Sequence, residues 1–400
     1  MTSWASVALR DVADVFNGKT PSKAEQRNEG HPVLKIRDVS ELGKFRGKHE
    51  SFVDESLAAK YSAKHVRDGD TLILNAAHNA DYVGSKTYRV EPPVFGTLAT
   101  GEWLIIRPSK EKLDASFVHH WVTSKSTRSA IRNVVNGIHL YPKDVARLDI
   151  ALPPLPEQRR IAAILDQADA LRAKRREALA QLNSLTQSIF IEMFGDPVAN
   201  PKGWVLSDVG ALSKLQGGLQ VTTARKNLPL EIPYLRVANV YRGQLDLTEM
   251  KTIKVTDAEM SRTTLGKGDL LIVEGHGNPN EVGRSALWTG EITPCTHQNH
   301  IIRVRFDSSK ILPIYACEYL NSPTGRRHLT GAGKTTSGLN TINASNVRGT
   351  PISIPPMALQ QAFAKRFEAI KSLRMSHQKA MNESDSLFAS LQHRAFQGEL

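Results

Sequence analysis

Two segments of this chain announce long helices, and they begin alike. LPPLPEQRRIAAILDQADALRAKR runs from Leu152 to Arg175, and IPPMALQQAFAKRFEAIKSLR runs from Ile354 to Arg374. In the first, the prolines disfavour helix in the residues before them, and Pro156 suits the first helical position because its missing N–H has no intrahelical partner there. Glu157 follows, a carboxylate at the positive end of the helix dipole. Downstream, Ile161, Ala168, Arg175, Leu182 and Ile189 recur every seven residues, with Ile164, Leu171, Ala178 and Leu185 three positions further on. That is the pattern of a coiled-coil seam. No Gly or Pro interrupts it before Gly195 and Pro197, and Gly195 is placed to end the helix. The second segment predicts a helix from about Met357 to Phe396. Its apolar stripe is Phe363, Phe367, Ile370, Leu373, Ala380, Leu387 and Leu391, broken by Arg366, His377 and Ser384.

Helices of this size would be ~55–60 Å long at about 1.5 Å per residue. Neither can bury its stripe over that length against one small domain, so the simplest packing sets them on each other. The first leaves one globular part for a second, and the second starts there and lies alongside it. It must therefore run back, which makes the pair antiparallel with an approximate two-fold axis. Two separate coiled coils that dimerise the protein remain open at this stage.

The rest of the chain is doubled too, at a shift of about two hundred residues. Trp4 falls on Trp204, and LRDV from Leu9 on LSDV from Leu206. GKTPS from Gly18 meets QGGLQ from Gln216, and HPVLKIRDV from His31 meets EIPYLRVANV from Glu231. DGDTLIL from Asp68 meets KGDLLIV from Lys267, YVGSK from Tyr82 meets EVGRS from Glu281, and DIALPPLPEQ from Asp149 meets PISIPPMALQQ from Pro351. TLIL, LLIV, LIIR from Leu104 and IIRVRF from Ile301 read as buried strands, and Ser116–Val135 reads as helical. The expected class is α+β: two similar mixed α/β domains, at 1–151 and 197–354, joined by two antiparallel helical spacers at 152–196 and 355–400.

Length agrees, since 400 residues exceed what one core usually fills. Lys and Arg number 52 against 40 Asp and Glu, a net +12, the electrostatic footprint of a phosphate-rich partner. Cys295 and Cys317 cannot make a disulfide framework, and no CxxC suggests zinc. The start MTSWASVALRDVADVF lacks the form of an export signal, and no apolar run is long enough to span a membrane. A cytoplasmic protein without membrane contact is expected.

LPPLPEQRRIAAILDQAD, the helix exit SIFIEMFGDP from Ser188, GKTPSK, the paired GD strands and the duplication resemble the specificity subunit of Type I restriction-modification enzymes over essentially the whole chain. The second half departs from that pattern, with MALQQ in place of LPEQ and no FGDP. The resemblance implies a non-catalytic reader of double-stranded DNA. Each globular part would be a target recognition domain for one half of an asymmetric bipartite site, and the helical pair a ruler between halves. It further implies two docked methylation subunits, which bind S-adenosylmethionine, and restriction subunits in the full complex; no cofactor is expected in this chain. A stand-alone two-domain DNA-binding regulator is the alternative.

Base reading needs side chains that reach groove edges, with cations on phosphates. The loop NAAHNADYVGSK offers Asn75, His78, Asn79 and Lys86, and GKTPSK offers Lys19, Thr20 and Lys23. In the second half EGHGNPNEVGR offers His276, Asn278, Asn280 and Arg284, THQNH offers His297, Gln298 and His300, and GAGKTTSGLN offers Lys334, Thr335 and Asn340. GAGKTT is not a phosphate-binding P-loop, because His328 stands where the first glycine belongs. Cys295, His297 and His300 lack a fourth ligand for zinc. EPPVF from Glu91 has the prolines without the amide or the aromatic in the place that exocyclic amine methylation requires, and no nucleophile–base constellation stands out, so no intrinsic catalysis is expected.

Overall fold

A glycine in the left-handed region, Gly69 at φ +87° and Gly268 at φ +90°, turns the chain into each GD strand. The aspartate after it is buried and holds that strand to a neighbour. Arg107 donates two hydrogen bonds to Asp70, at 2.9 and 2.7 Å, and the backbone N–H of Arg67 adds a third at 2.8 Å. Arg305 does the same for Asp269 at 2.6 and 2.6 Å, with the N–H of Gly266 at 2.7 Å. Bidentate geometry with further donors is what makes a buried carboxylate tolerable.

The computed structural model describes residues 4–332, 334–336 and 339–400, and only the backbone of 332, 334–336 and 339. Contacts divide the chain into two units, residues up to Glu177 with Gln378–Leu400, and Ala178–His377. In the first, the strands Ala13–Asn17, Trp103–Pro108, Thr71–Leu74 and Thr87–Arg89 lie side by side in that order, all antiparallel. In the second the order is Ser213–Gly217, Ile301–Phe306, Leu270–Val273 and Ser285–Leu287. Side chains alternate across a strand, and here both faces are covered. Ile73, Leu104 and Ile106 enter one core with Phe117, while Leu72, Trp103 and Ile105 enter another with Tyr88. Leu270 and Ile272 part from Leu271 and Val273 in the same way.

A smaller sheet completes each unit: His31–Leu34 pairs antiparallel with Phe52–Val53 and parallel with Leu98–Ala99, and Leu230–Leu235 pairs likewise with Lys251–Val255 and Thr296–His297. Ser6–Ala8 pairs with Asp149–Ala151, and Val205–Asp208 with Pro351–Ile354, just ahead of each long helix. The register of the glycine turns corrects the sequence comparison by two residues, since Gly18 is matched by Gly218 rather than Gln216. The residues after them, Lys19 and Leu219, donate to the carbonyls of Ala99 and His297 at 2.8 and 2.9 Å. A Cβ on either glycine would lie 2.3 Å from a carbonyl oxygen.

The segment Ser116–Val135 is two helices, Ala115–Thr123 and Lys125–Asn133, not one. Ser124 breaks them because its hydroxyl accepts the Thr127 N–H as a cap.

The long helices are Leu155–Phe194 and Met357–Gln397. The first ends at Gly195, at φ +82°. Both contribute to each unit and are antiparallel within it. In the first unit Arg160 donates to the carbonyl of Leu400 at 2.8 Å and Arg172 to Asp385 at 2.7 Å. In the second, Arg374 reaches Asn183 at 3.4 Å and Phe363 packs edge-on to Phe190 and Phe194. The seven-residue stripe is only partly the buried one. Leu171, Leu185, Leu373 and Leu387 are 54, 41, 48 and 59% exposed, whereas Leu165, Met381 and Ala395 are buried. A straight helix drifts about 20° per heptad against a strict seven-residue repeat. Arg172 also takes an inward place, its guanidinium 4.3 Å from the centre of the Phe388 ring. Among the described residues no helix is long and apolar enough to cross a membrane.

Each long helix is bolted to its unit by a glutamine with no exposed surface. Gln158 accepts from the N–H of Asp114 at 2.8 Å and donates to the carbonyls of Pro153 and Lys112 at 2.8 and 3.0 Å. Gln360 accepts from Leu312 at 2.8 Å and donates to Pro355 and Lys310 at 2.8 and 3.5 Å. Leucine at position 158 would leave those backbone groups buried and unpaired, so Gln158→Leu should destabilise the protein by ~3 kcal/mol in urea unfolding. A change below about 1 kcal/mol would show that the bolt is dispensable.

Candidate nucleic-acid interface

Beyond Leu74 the chain leaves the first sheet for the loop that carries four of the candidate residues. Two of them turn inward. Asn75, 4% exposed, donates to Asn17 Oδ1 at 2.9 Å and to the carbonyl of Gly101 at 2.8 Å. Its own carbonyl accepts from Leu140 at 2.7 Å, so it ties three segments together. Lys86, also buried, donates to the carbonyls of Val39 and Ile36 at 3.1 and 3.4 Å and meets Glu41 at 2.7 Å. The other two, His78 and Asn79, are exposed beside Tyr82. Asn79 accepts from the N–H of Asp81 at 3.0 Å, which shapes the tip.

The GKTPSK turn lies next to this loop. Thr20 accepts from the N–H of Gly101 at 2.9 Å, and Thr20, Asn75, His139 and Tyr141 line one cleft of about 290 Å³. Lys23 is exposed and opens a short turn. Lys19 lies 5.3 Å from the centre of the Tyr61 ring, with Lys60 at 5.7 Å on the same ring and Lys64 4.8 Å from that of Phe16. Burial lowers the Lys64 ammonium from its ordinary value. Lys60 and Lys64 are cations that sequence reading missed; their signal was KYSAK, basic residues flanking an aromatic one.

In the second unit the pattern repeats with other side chains. Arg284 is buried and donates to the carbonyl of Val237 at 3.0 Å and to Glu281 at 3.1 Å, the same service to a short turn that Lys86 performs. His297 has no exposed surface, and burial pushes its imidazole down to about 4. It is therefore neutral, and Nε2 donates to the carbonyl of Gln216 at 3.2 Å. Asn75, Lys86, Arg284 and His297 thus stand behind the surface on which they were expected and bond to the protein's own backbone and side chains, while Arg284 Nε and His297 Nδ1 are buried without a partner.

Exposed or half-exposed are His276, Asn278, Asn280, Gln298, His300 and Asn340. His276 accepts from the N–H of Asn278 at 3.0 Å, and Asn278 from that of Asn280 at 3.0 Å. His276 sits opposite Asn340 in a sheet, so those four share one surface. Arg242 and Arg326, also unforeseen, hold the Asn280 carbonyl at 2.9 and 3.3 Å. His300 stands 4.0 Å from Glu274, whose carboxyl is raised by burial. Gln298 belongs to a different strand end, where its N–H donates to Leu235. The strand backbone at Lys334 and Thr335 pairs with Thr341 and Asn340, but their side chains lie outside the described ones. Among the described residues no group of three His, Cys, Asp or Glu side chains could hold a metal, and burial pushes the Cys295 thiol up to about 12.

Residues 1–183 match the family model of the Type I restriction modification DNA specificity domain. The StySPI specificity subunit of Salmonella potsdam is 24% identical, with 99% of this chain and 89% of that protein aligned. The EcoKI specificity subunit of Escherichia coli K12 is 23% identical over the same shares of each. Among solved structures, a chain from work on complex assembly and conformational transition of the type I R-M system has a TM-score of 0.59 at 18% identity, covering 100% of this chain and 99% of that one. The S subunit from M. genitalium has a TM-score of 0.54 at 14% identity, covering 98% and 96%. At these identities the structures share a fold.

Burial separates frame from surface in a way that unfolding measures. Asn75→Ala should lower stability by about 1–3 kcal/mol, because it strips partners from buried groups. His78→Ala should change it by less than about 0.5 kcal/mol. Equal effects in thermal unfolding would contradict the division.

Proposed function

We propose that this chain, which belongs to the specificity subunits of Type I restriction-modification enzymes, reads two separated half-sites of duplex DNA, one with each recognition unit. The observation that carries this is one frame with two surfaces. Sheet order, the Asp70–Arg107 and Asp269–Arg305 pairs and the buried Gln158 and Gln360 recur, while the exposed loop residues differ: His78 and Asn79 in one unit, His276, Asn278, Asn280 and Asn340 in the other. A duplicated frame with unlike loops suits an asymmetric bipartite site.

In this reading 1–151 and 197–354 are the recognition domains, and 152–196 and 355–400 the spacers. In the same reading the helices of 40 and 41 residues are the ruler between half-sites. About one helical turn of DNA, ~34–36 Å, brings both half-sites to the same face of the duplex. Leu171, Leu387 and Met375, exposed on the helices, suit the docking of two methylation subunits. Those subunits bring S-adenosylmethionine and take the target base out of the stack. Restriction subunits complete the assembly, in the cytoplasm, and this chain contributes positioning rather than chemistry.

The exchange of one domain tests this. Replacing Trp4–Ala151 with the corresponding segment of a relative should change one half of the methylated sequence in the assembled enzyme and leave the other half and the spacing intact. Sequencing of methylated adenines reads the result, and a change in both halves or in neither overturns the proposal.

A further inference from the structure

A cavity of about 680 Å³ in the first unit is walled by His119–Arg132 and by the stretches Asp169–Arg176 and Asp385–Gln392 of the long helices. Five cations line it, in two different states. Arg172 is satisfied by Asp169 and Asp385, both at 2.7 Å, and Arg176 faces Asp385 at 3.4 Å. Lys125, Arg128 and Arg132 are exposed and have no carboxylate partner among the described residues. They stand at positions i, i+3 and i+7 of the helix Lys125–Asn133, hence on one face. Desolvation at the cavity wall, then the neighbouring Arg132, push the Arg128 guanidinium below its ordinary value, and the cavity's carboxylates Glu41, Asp169 and Asp385 pair with Lys86, Arg172 and Arg176 instead. His119, at the back of the cavity, has an Nδ1 without a hydrogen-bond partner.

The row does not end blindly. Past Asn133 the chain forms the turn whose His139 bridges to Ala76, and Leu140 bonds to Asn75, so the segment that carries the row leads on to the base of the loop bearing His78 and Asn79. From residue 125 to 132 the helix rises ~10 Å, against about 3.4 Å of axis per phosphate on one strand. The corresponding short helix of the second unit, Arg327–Ala332, has no Lys or Arg after its first residue.

We infer that Lys125, Arg128 and Arg132 form a phosphate cradle that holds the DNA backbone beside the first half-site and sets register there without reading bases. This rests on the DNA-reading function proposed above. Backbone contacts position, and each neutralised phosphate releases counterions.

The test uses the full chain carrying Lys125→Gln, Arg128→Gln and Arg132→Gln, titrated with a mixed-sequence duplex over a salt series. The slope of log affinity against log salt should fall by about 2–3, at roughly 0.9 per phosphate, while the sequence methylated by the assembled enzyme stays the same. Arg132→Gln alone should lower the slope by about 0.9, which keeps the test open if the triple variant folds poorly. An Arg128→Lys, Arg132→Lys variant should keep the slope. An unchanged slope in a folded triple variant overturns the inference. So does an unchanged slope with loss of methylation-subunit binding, which would make the row a dock for an acidic protein. If the unaltered chain and its complexes bind DNA without salt dependence, the proposed function fails instead.

Discussion

Where each long helix leaves its unit, a buried glutamine accepts one backbone N–H and donates to two backbone carbonyls. A side-chain amide has few ways to meet three backbone groups at once. In a site closed to water, each group left unmet costs free energy that no solvent bond returns. The helix therefore cannot pivot on its own sheet, and the loops of that sheet hold a definite position relative to the helix. The prolines just before serve the same end, since they stop the helix from extending backwards past the bolt.

From this anchor outwards the structure divides labour by burial. The central strands send alternate side chains into two cores, and an arginine–aspartate pair neutralises the carboxylate buried at the start of the GD strand. Behind the exposed loops, Asn75, Lys86 and Arg284 spend their polar atoms on backbone carbonyls. The backbone of each loop is thus set by residues that do not face outward, which leaves its exposed side chains free to differ between units. A reader of sequence needs that separation, because changing what is read must not change where it is read.

The helix pair follows a different rule. A wholly apolar seam would hide every leucine of the repeat, yet the middle of the pair is held by Arg172, Asp385 and Phe388 while Leu171 and Leu387 face out. Charged groups there demand particular partners, so they favour one register over its neighbours, and the leucines they displace are free to meet something else.

Much of this was legible in the chain itself. Proline before a helix, glycine after it, an uninterrupted apolar period and glycine–aspartate ahead of a β-branched run act on neighbouring residues, and they located both long helices, the buried strands and the doubling. What escaped was every decision made by a partner distant in sequence. Asn75 is buried because Gly101 and Asn17 wait for it, Lys86 because Val39 does, and Arg284 because Val237 does; their neighbours His78 and Asn79, with the same polar look, stay outside. Arg172 displaced Leu171 because Asp385 lay across from it, whereas the Ser124 cap that split a helix is a local signal that was overlooked. Local rules set the elements. Only the folded chain, by bringing far groups within hydrogen-bonding distance, decided which polar side chains became frame and which remained surface.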